Sequence, residues 1–210
     1  MFDAIYSLKN SKLPHQQQVY QLLISIDANL SSKEPLSYFG AVLSLLQHSQ
    51  DHAPALIYLL NCILPQISPS LLRAKFAFIM PLLPLSTHLE PLLTRSLLSC
   101  ISTLLLAHEP IQLSNQLELR KHFLALCQFT LDARPKVRKT ALEALQPLLK
   151  SKALSVFLDF LLLNLKNDAA LASNAINPMH FLFLIQSNAS ALATGLDRDS
   201  ILKLCQALLV

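Results

Sequence analysis

Two glycines in 210 residues leave this chain few ways to fold. β-Hairpins and phosphate-binding loops both lean on glycine, for positive φ and for close approach of the backbone. An all-β fold and a nucleotide-binding α/β fold are therefore disfavoured. Leucine, alanine, glutamine and serine dominate instead, and 12 prolines punctuate the apolar blocks. Proline suits the first turn of a helix, where its missing N–H is not needed, and ends or kinks a helix elsewhere. The composition points to an all-α protein.

The strongest single signal is the stretch from Asp132 to Leu149, D-A-R-P-K-V-R-K-T-A-L-E-A-L-Q-P-L-L. Pro135 fits the first turn, and Asp132 just upstream can cap the positive helix end or sit against it. Val137, Ala141, Leu145 and Leu149 recur every four residues, with Ala144 and Leu148 beside them. That is one apolar stripe on an α-helix, with Lys136, Arg138 and Lys139 mainly off it. An Asp five residues before a Val and six before an Arg, opening an Ala/Leu helix, resembles the inner helix of a HEAT repeat. Such repeats bury one face against their neighbours and present the other to a partner.

The same reading places helices at about 15–29, 36–48, 53–64, 70–83, 88–107, 115–131, 135–149, 153–165 and 169–185, then one from Asp197 or Asp199 to the C-terminus. A short helix is expected within residues 1–12. Asp51, Ser114 and Asn167-Asp168 are expected starts, and Thr87 with Glu90 three residues on reads as a capping box. Asn177-Pro178 should bend or split its helix, and Gly195 should stop one. Leu93, Leu97, Cys100, Ile101 and Leu104 are expected to face inward on the longest helix. No strand–turn–strand pattern appears, and no linker divides the chain. The expectation is one domain over residues 1–210, a right-handed α-solenoid of HEAT/armadillo-like helix pairs with about ten helices. The ending Leu208-Leu209-Val210 carries no polar cap, which suggests a piece of a longer array or a docking end.

Hydrophobic residues make up 52% and charged residues 14% of the chain. The apolar blocks are interrupted, by Arg73 and Lys75 in one case and by Asp159 in another, so a membrane span is not expected. Helices packed on two sides explain the hydropathy better. The N-terminus lacks the basic-then-apolar layout of a secretory signal. Cys62, Cys100, Cys127 and Cys205 are far apart among apolar residues, which reads as buried thiols in a reducing compartment.

The net charge of +4 is unevenly spread. Between Arg120 and Lys152 lie eight basic residues (Arg120, Lys121, Arg134, Lys136, Arg138, Lys139, Lys150, Lys152) and two acidic ones (Asp132, Glu143), a local +6 that leaves −2 elsewhere. The possible binding residues are Arg134, Lys136, Lys139 and Lys121. They could hold RNA phosphate or an acidic partner segment, with Arg134 at a helix entrance that favours anions. The alternative is a solvated helix face. Asp132 and Arg138 suit a structural ladder between inner helices of neighbouring repeats. Aromatic interleaving for base stacking is absent, since Phe123 and Phe129 look buried, so sequence-specific RNA reading is not supported.

No catalytic constellation stands out. There is no Gly-rich phosphate loop, no nucleophile elbow and no H-E-x-x-H. His48 and His52 stand four apart, but the turn at Gln50-Asp51 falls between them, so surface or capping roles suit them better than metal ligation. His180, between Met179 and Phe181, reads as packed or half-exposed. No enzyme activity, cofactor, metal or small-molecule substrate is expected.

Three stretches together resemble the N-terminal region of the ribosomal RNA-processing protein 12 family, which are eukaryotic HEAT-repeat ribosome-assembly factors. They are S-K-L-P-H-Q-Q-Q-V-Y-Q-L-L (11–23), E-P-L-S-Y-F-G-A-V-L-S-L-L (34–46) and D-A-R-P-K-V-R-K (132–139). R-A-K-F (73–76) and T-R-S-L-L-S-C-I (94–101) lie between them in the matching order. The resemblance implies a non-catalytic scaffold in pre-rRNA processing and in maturation and nuclear export of pre-ribosomal subunits. It implies pre-ribosomal particles, with pre-rRNA and assembly factors, as partners, and a nucleolar and nuclear location. Members are far longer, so this chain would be their N-terminal segment. A HEAT/armadillo adaptor fragment that binds protein segments, such as part of a transport receptor, is the second reading. A small α-helical enzyme or lipid-binding bundle is the third.

Overall fold

The structure, a computed structural model, describes residues 2–48, 51–83, 90–150, 154–165 and 178–208. Among these residues the fold is all-α, without strands. The chain forms two compact units, residues 1–107 and 108–210.

The first unit begins with α1 (Asp3–Tyr6) and a 3₁₀ turn over Ser7–Asn10. Five longer helices follow: α2 (Pro14–Asn29), α3 (Pro35–His48), α4 (Ala53–Ile63), α5 (Pro69–Ile79) and α6 (Pro91–Leu106). Proline stands in the first turn of all five, as its fixed φ favours. α4 packs against α2, α3 and α6. Its Ala55, Leu56, Ile57, Leu59, Leu60 and Ile63 have no measurable exposure. Pro54, Tyr58, Asn61 and Cys62 share the remaining face and are half-buried, so the apolar face is wide but does not close round the helix. Across from it Leu97, Leu98, Ile101, Leu104 and Leu105 of α6 are equally buried. The inward set expected on α6, Leu93, Leu97, Cys100, Ile101 and Leu104, is buried throughout.

The second unit contains α7 (Pro110–Asn115), α8 (Leu117–Phe129), α9 (Pro135–Lys150) and α10 (Leu154–Leu165). After these come α11 (Pro178–Ser187), α12 (Ala189–Gly195) and α13 (Arg198–Leu208). α8 packs on α7, α9 and α10, and α10 packs on α13. Phe123, Phe157, Val137, Ala141 and Leu145 fill the core. The four-residue stripe of α9 is buried as its spacing requires, while Ala144 is half-buried.

Several boundaries differ from expectation. α4 starts after His52, not at an Asp51 cap, and His52 makes no side-chain cap bond. α6 opens at Pro91 with Glu90 in the cap position. Thr87, Asn167-Asp168 and Leu209-Val210 lie outside the described residues. Ser114 does not cap a helix. It lies inside α7, which opens at Pro110, where the Glu109 N–H donates to Gln112 Oε1 at 2.9 Å in a capping box. Pro178 starts α11, while Asn177 lies outside the described residues, and Gly195 ends α12 as expected. The Asp197 Oδ1 accepts the Ser200 N–H at 2.7 Å and caps α13. α9 runs through Pro147, which removes one helical bond. Burial of Leu145, Leu148 and Leu149 on the same turn offsets that loss.

The cysteines are not alike. Cys100 and Cys127 are buried, Cys62 is half-buried and Cys205 is exposed, which corrects the expectation of four buried thiols. Burial raises the pKa of Cys62 and, much more, those of Cys100 and Cys127. Cys100 Sγ donates to the Ile57 carbonyl at 3.7 Å.

A polar clasp ties the N-terminus to the first helix pair. The Tyr6 and Tyr38 hydroxyls both donate to the Asp27 carboxylate, and Lys33 Nζ lies 3.8 Å from it. Burial alone would raise the Asp27 pKa, but the two hydroxyls and Lys33 together hold it below its ordinary value. Donation to Asp27 pushes Tyr6 up to about 12. Burial, then the same carboxylate, pushes Tyr38 up as well.

Two predictions follow from these groups. The Asp27 contribution is complete above its unfolded pKa of about 4 and is lost as pH falls through the lower folded value. The tyrosine contribution is complete below about pH 10 and fades as pH rises toward their raised values. Asp27→Asn should therefore flatten both limbs of a stability–pH curve measured by urea unfolding. For the thiols, maleimide labelling of the native chain should modify Cys205 first, Cys62 slowly, and Cys100 and Cys127 only on unfolding.

Candidate nucleic-acid interface

The basic block centres on the entry to α9. Pro135 takes the first helical position, and the Arg134 carbonyl accepts from Val137 and Arg138 N–H at 3.0 and 3.1 Å. Asp132 folds back under this turn. Its Oδ1 accepts the Arg134 backbone N–H and Nε, each at 2.8 Å, and its Oδ2 accepts Arg134 Nη2 at 2.7 Å. The aspartate side chain is 8% exposed and the arginine 27%, so the pair is shielded from solvent more than a surface ion pair would be. Burial pushes the Asp132 pKa up, yet the Arg134 bonds and charge, with Arg138 nearby, hold it below the carboxylate range. Arg138 Nη1 donates to the carbonyls of Asp132 at 2.8 Å and Ala133 at 2.9 Å. D-A-R-P-K-V-R is thus a turn that closes on itself: the acid binds the first arginine and the second arginine binds the backbone.

This places the six residues singled out in the sequence into different roles. Asp132, Arg134 and Arg138 build the turn. The Arg134 guanidinium is held by Asp132, so the anion that the helix entrance favours is already supplied by the chain. Lys136 and Lys139 stand one turn apart on the exposed side of α9. Lys139 Nζ lies 3.9 Å from Glu143 Oε1 with both side chains well exposed, a pair that contributes little and leaves the ammonium in water. Lys121 is exposed on α8. The short connection 130–134 makes α8 and α9 antiparallel neighbours, so Lys121 stands toward the opposite end of the pair from Lys136.

Two features are illegible in the sequence. Arg120 Nη2 pairs with Asp159 Oδ2 of α10 at 2.8 Å, 39 residues away, which removes one cation from the apparent block. Lys150, at the end of α9, lines a cleft of about 540 Å³ with Gln146, Ser187, Ser190 and Thr194. Only its membership of the basic block could have flagged it.

His48 is exposed on the last turn of α3, and His52 Nδ1 pairs with Gln18 Nε2 at 2.9 Å. His122 is buried, with Nδ1 2.6 Å from the Glu118 carbonyl. His180 is half-buried. Among the described residues no three His, Cys, Asp or Glu side chains are grouped to hold a metal ion. Among them, too, no helix is long and apolar enough to cross a membrane.

Asp132→Ala should cost about 1–2 kcal/mol, since it removes a cap-like acceptor and leaves Arg134 half-buried without its counter-ion. Urea unfolding should show a lower midpoint at unchanged slope.

Comparison with known proteins agrees with this arrangement. The family model described as RRP12-like, N-terminal HEAT repeats matches residues 5–194. Ribosomal RNA-processing protein 12 of Saccharomyces cerevisiae is 29% identical over 170 residues, covering 69% of this chain and 14% of the relative. A Schizosaccharomyces pombe protein, Uncharacterized protein C1105.01, is 34% identical over 160 residues, covering 70% of this chain and 16% of its own length. The chain thus spans only a small part of the length of the curated relatives it matches. No solved structure matches it. With a model match across nearly its whole length, on a fold of stacked helix pairs, the chain belongs to the family of RRP12-like N-terminal HEAT repeats.

Proposed function

We propose that this chain is a non-catalytic scaffold segment in ribosome biogenesis, acting in pre-rRNA processing and in the maturation and nuclear export of pre-ribosomal subunits. Its partners are pre-rRNA and assembly factors, and its location is the nucleolus and nucleus. The observation that carries this reading is the family match, together with a yeast relative whose name is ribosomal RNA processing. A helical array of this kind works by holding partners in fixed positions on a stiff surface. Residues 1–210 act as one array, continued by further repeats in the longer protein. Asp132 and Arg138, besides closing their own turn, are read as the structural ladder toward the inner helix of a neighbouring repeat.

Direct RNA contact falls to Lys136 and Lys139, with Lys121 and Lys150 as outlying cations. Arg134 contributes less than its position suggests, because Asp132 neutralises it. Binding is to phosphate and is independent of sequence, since no exposed aromatic accompanies these lysines on α8 or α9.

The test is RNA binding by the purified chain across a salt series, for wild type and Lys136→Glu/Lys139→Glu. The expected result is affinity that falls steeply with salt in the wild type. In the double variant binding should weaken and the slope of log K against log salt should drop by about 0.7–0.9 per lysine. Circular dichroism should be unchanged, because both side chains are exposed. Equal binding by the two proteins, or none at low salt, removes RNA from this segment's role.

A further inference from the structure

The first unit carries a trough that the basic face does not involve. It runs between α3 and α5, with Leu36 and Leu71, near the starts of the two helices, lining one end of it. The main depression encloses about 410 Å³ and continues past Leu36 and Leu71 into a smaller one bounded by Glu34, Gln66 and Ser68. The larger volume is in the range of ligand clefts. Its floor is Phe39 and Leu43, both buried. On its rim Leu36 is 56% exposed and Phe78 is 43% exposed, two bulky apolar side chains that the core does not take up. Lys75 stands on the same rim, on the exposed side of α5.

Gly40 lines this trough in the middle of α3. It is one of only two glycines in the chain. Glycine inside a helix is destabilising relative to alanine, so a reason is expected at the site. Among the described residues none is found: a Cβ at this position would meet nothing within 4 Å. Gly195 is the contrast, since a Cβ there would run into Leu154 Cδ1 at 2.0 Å. The space that Gly40 leaves opens onto the trough and lets another chain approach the α3 backbone.

We infer that the α3/α5 trough is the docking groove for an amphipathic helical segment of a protein partner. The partner sets bulky apolar side chains between Leu36 and Phe78, crosses α3 closely over Gly40, and places a carboxylate beside Lys75. Apolar walls suit a helix in a groove and give nucleic acid nothing to pair with. The single rim cation at the Phe78 end, and Glu34 at the other, fix the partner's direction by charge complementarity. This inference does not depend on the RNA reading, which concerns the other unit.

The test uses a panel of capped 16-residue amphipathic peptides, probed by fluorescence anisotropy on the full chain. Each peptide has leucine or phenylalanine at i, i+3/i+4 and i+7, and either Glu or Lys at the end next to Lys75. Glu peptides should bind the wild type several-fold more tightly than Lys peptides, and Lys75→Glu should reverse that order. Gly40→Ala should leave the chain as stable or more stable to heat, yet weaken the Glu peptides several-fold. Gly40→Leu should weaken them at least tenfold with unchanged circular dichroism. The inference is overturned by a panel in which no peptide binds, by equal affinity for the Glu and Lys sets, or by full binding to the folded Gly40 variants. A Gly40→Ala protein that loses stability would also overturn it, since the glycine would then serve the fold.

Discussion

Everything in the first unit hangs on the broad buried face of α4. Ala55, Leu56, Ile57, Leu59, Leu60 and Ile63 make up that face, with Pro54, Tyr58, Asn61 and Cys62 half-buried on the other side, and α2, α3 and α6 are what cover it. Burying a leucine or isoleucine side chain contributes about 1.5–3 kcal/mol, so these few residues hold three other helices in place. Those helices need only one apolar face each, which frees their other faces for charge, for solvent or for partners. The high apolar content of the chain goes into the faces by which these helices cover one another.

The second constraint is the turn into α9. Asp132, Arg134 and Arg138 satisfy one another and the backbone within seven residues, so the helix start is determined locally. The consequence is electrostatic. Two of the cations that make the block look basic are spent on closing a turn, and Arg120 is spent on Asp159. A count of Lys and Arg along the sequence therefore overstates the field that a phosphate would meet. What is left to an external anion is a row of lysines, whose flexible stems and hydrated ammonium groups suit loose phosphate contact better than the bidentate grip of an arginine.

The two surfaces argued for above differ in kind. The lysines of α9 stand in water and would act through long-range, salt-sensitive attraction. The α3/α5 trough is apolar, with one cation at its rim, and would act through burial and shape. A scaffold that gathers unlike partners has use for both, and a helical array offers them without any change in fold, because each helix pair contributes its own outer face.

Most helices were legible in the sequence because their signals are local. Proline at the first turn and a four-residue apolar spacing act within one or two turns of the chain, and the structure follows them from α2 to α6 and from α8 to α10, while the short α7 was not expected. Cap assignments were less legible: Asp51 and Ser114 have the right chemistry, but the prolines at 54 and 110 decided where α4 and α7 begin. The family was legible because three motifs kept their order. Tertiary structure alone decided how exposed each cysteine is, that Tyr6 and Tyr38 share Asp27, and that Arg120 meets Asp159. The physical reason is distance along the chain. Those contacts join residues 11 to 39 positions apart, and no local propensity records which side chain will arrive from a neighbouring helix. Gly40 shows the same division: its identity is plain in the sequence, and only the packed helices reveal the open space above it.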